Sequence, residues 1–442
     1  MRQKIFWTIG LVLALLLAVA LGVQPAPVAH AATITVTTTS DELNSDGDCS
    51  LREAIQAANT DTAVSGCAAG NGADTITLPA GFYTLTIAGA GENANATGDL
   101  DITDDLTING DGEGITIIQA GTNSTNGIDR VLNVYAAGAI VEINDVTIRY
   151  GSLADIQCGG GIRNDGTLTL NNTRVSSNTA PAAAGGGGIC NDGTLTLNNS
   201  TVGYNDAAAG GGIDNCGTLR LNNSTVNDNN AITAGGITNN GTLTLDNCTV
   251  SGNDADGYGG GIANWSGTLT LNNSTIADNT ADDDNNGFGD GGGVYVSGGT
   301  ANVMNTIIAD NQDRGGEAHD CSGLLTSQGY NLFEWGMGCS IIGDTTGNIN
   351  GADPDLGLLA ANGGATRTHA LQTGSPAIER IPNGTNGCQA GVSTDQRGYV
   401  RAGGAGNGGS SCDTGAYEYD TAPPEVEEYF IYLPLVVKNA SP

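Results

Sequence analysis

The residues best suited to chemistry in this 442-residue chain are acidic. Asp282, Asp283, Asp284 and Asp290 crowd the stretch "ADDDNNGFGDGGG", where with backbone carbonyls they could surround a hard cation such as calcium. "GDLDITDD" holds a second group, Asp99, Asp101, Asp104 and Asp105. Neither follows the spacing of a known calcium loop, so both read first as solvated acidic loops, and calcium is the only cofactor the sequence suggests. Lyase chemistry asks for a basic side chain to take a proton α to a uronate carboxylate. Arg163, Arg174 and Arg220 are available but occupy three unrelated repeat positions. His319 and His369 stand without a nucleophile motif, and Trp265, Tyr204 and Tyr258 read as scattered rings that could stack on a sugar. These residues form no convergent constellation, so no catalytic residue is assigned.

Such side chains are only as useful as the frame that holds them, and the frame is a repeat. "GGICNDGTLTLNNSTVGYN" returns as "GGIDNCGTLRLNNSTVNDN", and the leading aliphatics Ile162, Ile189, Ile213, Ile237 and Ile262 are 27, 24, 24 and 25 residues apart, with Val294 opening a looser sixth copy. Within each copy Leu168 and Leu170, and their counterparts through Leu269 and Leu271, alternate with threonines as a half-buried strand requires. Val175, Val202, Val226, Val250 and Ile276 follow. One copy cannot bury four aliphatics, whereas stacked copies can, and the Gly, Thr and Asn content disfavours helices.

The expected fold is therefore all-β, a single-stranded parallel β-helix of right-handed sense. Its asparagine columns (Asn164, Asn172 and Asn178 and their equivalents) are expected at the bends, in αL conformation and as stacked amide ladders. The glycines at 166, 193, 217, 241 and 267 are expected to supply further positive-φ positions. The N-x-[ST] matches at Asn171, Asn198, Asn222, Asn247 and Asn272 read as by-products of that turn rather than glycosylation acceptors.

Arg2 and Lys4 ahead of the apolar run Leu11 to Val23, with Ala29-His30-Ala31 after it, predict a signal peptide over 1–31 and an exported, secreted or surface-held protein. The mature chain then has 12 basic residues against 47 acidic, a balance that excludes nucleic acid and anionic lipid as partners. An acidic polysaccharide would need local arginines or bound cations to approach. Ten cysteines outside the cell favour disulfides, with Cys49–Cys67, Cys321–Cys339 and Cys388–Cys412 as local pairs, while partners for Cys158, Cys190, Cys216 and Cys248 stay open. In "CSLREAIQAAN", Ser50 and Glu53 make a capping box ahead of Leu51, Ala54, Ile55 and Ala58, a short helix that plugs the first coil.

The run "DGDCSLREAIQAAN" and the sequence after it resemble the CSLREA-type N-terminal domain of bacterial surface proteins that carry pectin-lyase-like right-handed β-helices. "DPDLGLLAANGGATRTHALQTGSPAIERI" through "CDTGAYEYD" resembles the choice-of-anchor Q module that closes such proteins, with "AIERIPNG" and Glu379 departing from the usual Asp-containing segment. The resemblance implies export, repeat structure and a variable anchor, and no shared catalytic residue. It also leads one to look for the Gly-His-Gly element of polygalacturonase-like enzymes, which the sequence lacks. The expected organisation is an export signal over 1–31, an N-terminal cap over 32–97, β-helix repeats over 98–350, a closing module over 351–420 and a linker with a short apolar tail over 421–442. The tail run Tyr429 to Val437 is too short to span a bilayer as a helix. The expected function is adhesion to extracellular glycans, matrix or other cells by a monomeric, non-catalytic rod, with a polysaccharide lyase or glycoside hydrolase of the same fold as the alternative.

Overall fold

A computed structural model describes residues 31–153, 157–316, 318–389, 393–401 and 411–419. The expected signal peptide and apolar tail fall outside these residues, apart from Ala31. The chain is a right-handed parallel β-helix whose like strands pair in register from coil to coil. Leu168, Leu195, Leu219, Leu243 and Leu269 are Cα partners in sequence, and so are the leucines two residues on.

Three faces run along the rod. The isoleucine face carries three-residue strands such as Ile213–Asn215, Ile237–Asn239, Ile262–Asn264 and Val294–Val296. The leucine face carries five-residue strands such as Thr218–Asn222 and Thr242–Asp246. The valine face carries Thr225–Asn227, Thr249–Ser251, Thr275–Ala277, Ile307–Ala309 and their equivalents, with a narrow edge beyond it. Aliphatics from all three faces merge into one continuous interior.

The turns divide their labour more sharply than the sequence suggests. Asn172, Asn199, Asn223, Asn247 and Asn273 take the αL conformation, with φ between 46° and 52°. The other two columns do not; they are fully buried amide ladders. Asn164 donates to Asn191, Asn191 to Asn215, Asn215 to Asn239 and Asn239 to Asn264 at 2.7–2.8 Å. A second ladder runs from Asn178 through Asn205, Asn229, Asn253 and Asn279 to Asn311.

The glycines at 166, 193, 217, 241 and 267 are also corrected, because none has positive φ. They are needed for close approach: a Cβ on Gly217 would overlap the carbonyl oxygen of Gly193, and one on Gly241 that of Gly217. Positive φ falls instead three residues before each leading aliphatic, on Gly159, Gly186, Gly210, Ala234, Gly259 and Gly291.

At the front, helix α1 (Leu51–Thr60) has the full capping box, with the Glu53 N–H donating to Ser50 Oγ at 3.1 Å and the Ser50 N–H to Glu53 at 3.0 Å. Arg52 is buried on this helix and ties it to the first coil, donating to Asp41, Gly98 O and Asp99 O. Cys49 and Cys67, Cys158 and Cys190, Cys321 and Cys339, and Cys388 and Cys412 are disulfide-bonded, with Cα separations of 4.8, 5.6, 5.5 and 5.8 Å. Cys216 and Cys248 are free thiols.

The C-terminal module does more than close the far end: it folds back along the valine face. The outward residues of that face turn apolar in the late coils, and Ile307, Ala309 and Leu332 bury against Leu371 and Ala377 of the module. In earlier coils the contact is polar and tight. Gln396 donates to Thr225 Oγ1 at 2.9 Å and to Thr366 Oγ1 at 2.8 Å, and accepts from Thr249 at 2.7 Å. His369 is buried between module and coil; its Nδ1–H donates to Gly357 O at 2.7 Å and its Nε2 accepts from Ser251 Oγ at 2.8 Å, and burial lowers its pKa.

Candidate functional site

With the valine face covered by its own chain, the isoleucine face carries the most informative exposed chemistry. Its strands are three residues long, the outer two side chains point inward, and the middle one points outward. In successive coils the middle residue is Arg163, Cys190, Asp214, Thr238, Ala263 and Tyr295, matched Cα to Cα. Two residues farther on, past the bend, come Asp165, Asp192, Cys216, Asn240, Trp265 and Ser297. The face is therefore acidic toward one end and aromatic toward the other.

The aromatic end is a cluster. Tyr258 and Tyr295 lie with ring centroids 4.6 Å apart and planes tilted by 33°, and Trp265 stands edge-on to both at 5.9 and 5.3 Å. All three are half-buried, and they surround Ala263, whose small side chain is completely covered. The expectation of scattered rings is thus corrected for Tyr258 and Trp265. Tyr295 completes the group and was missed, although the step from Val294 to Ile262 places it beside Ala263. Tyr204 lies apart, half exposed, and its hydroxyl bonds Asp228, which raises its pKa.

The other residues singled out in sequence do not converge. Arg163 pairs with Asp165 at 3.1 Å on the isoleucine face, Arg174 with Glu113 at 3.6 Å on the valine face and Arg220 with Asp246 on the leucine face. The four calcium candidates are separately engaged rather than gathered. Asp282 is buried and accepts from the N–H groups of Asn286 and Gly287, Asp283 pairs with Arg314 at 2.8 Å, and Asp284 accepts from Asn286. Burial, then Asp313, raises the pKa of Asp290.

In the second acidic group Asp99 and Asp101 are internal, while Asp104 and Asp105 are half-buried. Asp99 pairs with Arg130 at 2.9 Å and Asp101 accepts from Asn133 at 2.8 Å, with burial pushing the two carboxyls up to about 7 and about 6. Among the described residues, carboxylates come within 4.8 Å of one another in two unforeseen places, Glu42 with Asp46 and Asp48, and Asp310 with Glu334 and Asp353. Glu42, Asn44, Asp46, Gly47 and Glu53 follow the positions of a twelve-residue calcium loop, with Glu for the leading Asp. Both Glu53 oxygens already accept backbone N–H groups, from Asn44 and Ser50.

A pocket of about 400 Å³ adjoins Asp310 and Glu334 and is lined also by His319, Asp320 and Trp335. Burial, then Glu334, pushes Asp310 up to about 6. Asp320 is pushed up to about 7 by burial, yet its carboxylate ends the second asparagine ladder, accepting from Asn311 at 3.0 Å and from the Trp335 N–H at 2.6 Å. His319 accepts the Asp313 N–H at 2.9 Å. Glu334 accepts the Asp310 N–H at 2.9 Å, so three of the pocket's titratable groups are held by the fold's own hydrogen bonds.

No family model matches this sequence, and no curated protein does. Among solved structures the chain is similar to the crystal structure of pectate lyase Pel9A, with a TM-score of 0.50 at 14% identity, over 89% of this chain and 98% of that one. At that identity the likeness carries the parallel β-helix alone.

Proposed function

We propose that this chain is an exported, non-catalytic surface or secreted protein that binds glycans on a rigid β-helical rod. The observation that carries the reading is the Tyr258, Trp265 and Tyr295 cluster on the open isoleucine face, since half-buried aromatic rings offer both an apolar stacking surface and polar rims. Rigid spacing along the rod would let neighbouring copies of the protein add avidity at a surface. Four disulfides support an oxidising location outside the cytosol. In this reading the front helix and the docked module are the CSLREA-type and choice-of-anchor Q-like parts that the sequence resembles, the chain acts as a monomer, and calcium serves at most an acidic surface loop.

The test is a glycan-binding panel run beside a reducing-end assay, with and without calcium. Binding without product, lost in Trp265→Ala, supports the reading. Depolymerisation would favour a glycoside hydrolase or polysaccharide lyase, for which Asp310 and Glu334 beside the 400 Å³ pocket are the specific argument. Product release abolished by Glu334→Gln would establish that alternative.

A further inference from the structure

The glycan-binding reading leaves open which glycans and how they lie, and the polar groups beside the aromatic cluster go further. Asp214, Thr238, Ala263 and Tyr295 occupy one outward position in four consecutive coils. With a coil rise of about 4.8 Å, the strip from Asp214 to Tyr295 is about 14 Å long. Asp214 is half-buried, and among the described residues no donor reaches its carboxylate. The backbone at Gly185 packs so closely that a Cβ there would overlap Asp214 Oδ2. The Thr238 hydroxyl, with only 3% of its residue exposed, likewise has no partner.

Neighbouring columns of this same solenoid satisfy their buried amides coil after coil. Two successive unpartnered polar groups are therefore a local destabilisation that the repeat had simple means to remove. The Thr238 oxygen is closed to solvent and stays idle, but the half-buried Asp214 carboxylate can be completed by a group from outside the fold.

The geometry points to an uncharged oligosaccharide lying parallel to the rod axis, with one ring on the Tyr258, Trp265 and Tyr295 cluster and a hydroxyl farther along the chain donating to Asp214. This rests on the glycan-binding reading above and adds the ligand's charge class and direction. Charge decides the class. Asp165, Asp192 and Asp214 make that end of the strip anionic, and Arg163, the nearby base, is already drawn to Asp165 at 3.1 Å and Asp192 at 3.9 Å. A uronate or sulfated chain would set anion against anion, whereas sugar hydroxyls are complementary donors to an unpartnered carboxylate. Burial, then Asp192, raises the pKa of Asp214 to about 6, so the acceptor is charged at neutral pH and is lost on acidification.

Calorimetric titration of the full chain with neutral β-linked oligosaccharides of increasing length, and with oligogalacturonates of matched length, tests this. Affinity is expected to rise with length until the chain covers the strip and then to level off. Asp214→Asn, an isosteric change, is expected to weaken the longer oligomers about tenfold while leaving a disaccharide unaffected. Oligogalacturonates are expected to bind at least about tenfold more weakly. Neutral glycans that bind, depend on Trp265, and ignore Asp214→Asn would overturn this inference and leave the general reading standing. Tighter binding of oligogalacturonate, or of a cationic chain over its N-acetylated counterpart, would also overturn it. Binding of no glycan at all would remove both.

Discussion

On the valine face three successive outward threonines are engaged by the chain itself: Thr225 donates to Arg367 O at 2.8 Å, Thr249 donates to Gln396 at 2.7 Å, and Thr275 accepts the Ala416 N–H at 3.0 Å. On the isoleucine face Thr238 sits equally buried with its hydroxyl idle among the described residues, and none of them donates to Asp214 beside it. The two faces share one repeat and one rise, and each turns a buried threonine outward. What separates them is complementarity: the C-terminal module packs bonding groups over the threonines of one face, whereas nothing described bonds Thr238 or Asp214 on the other. A parallel β-helix always offers several equivalent faces, so the face its own chain leaves incomplete is where an external partner is to be sought.

The contrast breaks most visibly at Gln396, whose amide bonds Thr225, Thr249, Thr366 and Arg367 O in a site closed to water. Gln396→Ala strands several buried polar groups at once, and we expect a loss of about 3 kcal/mol or more. Denaturant unfolding measures it, and hydrogen exchange should show the module loosening before the coils. A loss below about 1 kcal/mol would mean that the module rests on the face without being specified by it. Thr249→Val is the milder version. It keeps the shape, removes one hydroxyl and leaves Gln396 short of one donor, so a loss of about 1 to 2 kcal/mol is expected by the same measurement.

Asp214→Asn should move stability the other way. The folded-state carboxyl holds its proton up to about pH 6, against a usual value of 3.8, because burial and then Asp192 disfavour the anion. Its stabilising contribution is thus whole below about pH 4 and is lost as pH rises through 6. The amide has no such dependence. Discounting for partial exposure, the variant should gain on the order of 1 kcal/mol over the native protein at pH 8 and nothing at pH 4. Thermal melts across that range read the effect, and a gain independent of pH would assign it to something other than the charge.

The sequence carried the coil almost completely, because a strand's two-residue period and a repeat of 24 to 27 residues leave little freedom: Leu195, Leu219 and Leu243 could only stack or be exposed. The Ser50 and Glu53 cap was legible for the same local reason. The asparagine columns look alike in sequence, yet one serves φ and two serve ladders, a distinction set by whether the side chain ends inside or outside the coil. The site was less legible. The insertion ahead of Val294 masked the register that sets Tyr295 against Tyr258, and the pairing of Thr366 with Asn223, 143 residues apart, leaves no periodic trace. Arg52 and Arg130 look like surface charges until the backbone carbonyls and carboxylates they serve are in place.

The smallest expected effect is the most discriminating. Thr238→Val deletes a hydroxyl that has no partner among the described residues, so the native protein bears its desolvation without return. The substitution preserves volume, and Ile237 and Asn239 on either side keep their inward contacts, so the free protein should be unchanged or stabilised by about 0.5 kcal/mol. The same substitution at Thr249 destabilises. Opposite signs for one chemical change at two buried outward threonines would show that the bonding offered by the groups packed over them, and not residue type, distinguishes the faces. Equal losses at both would mean that Thr238 has an internal partner after all, and the isoleucine face would then be as self-sufficient as the valine face.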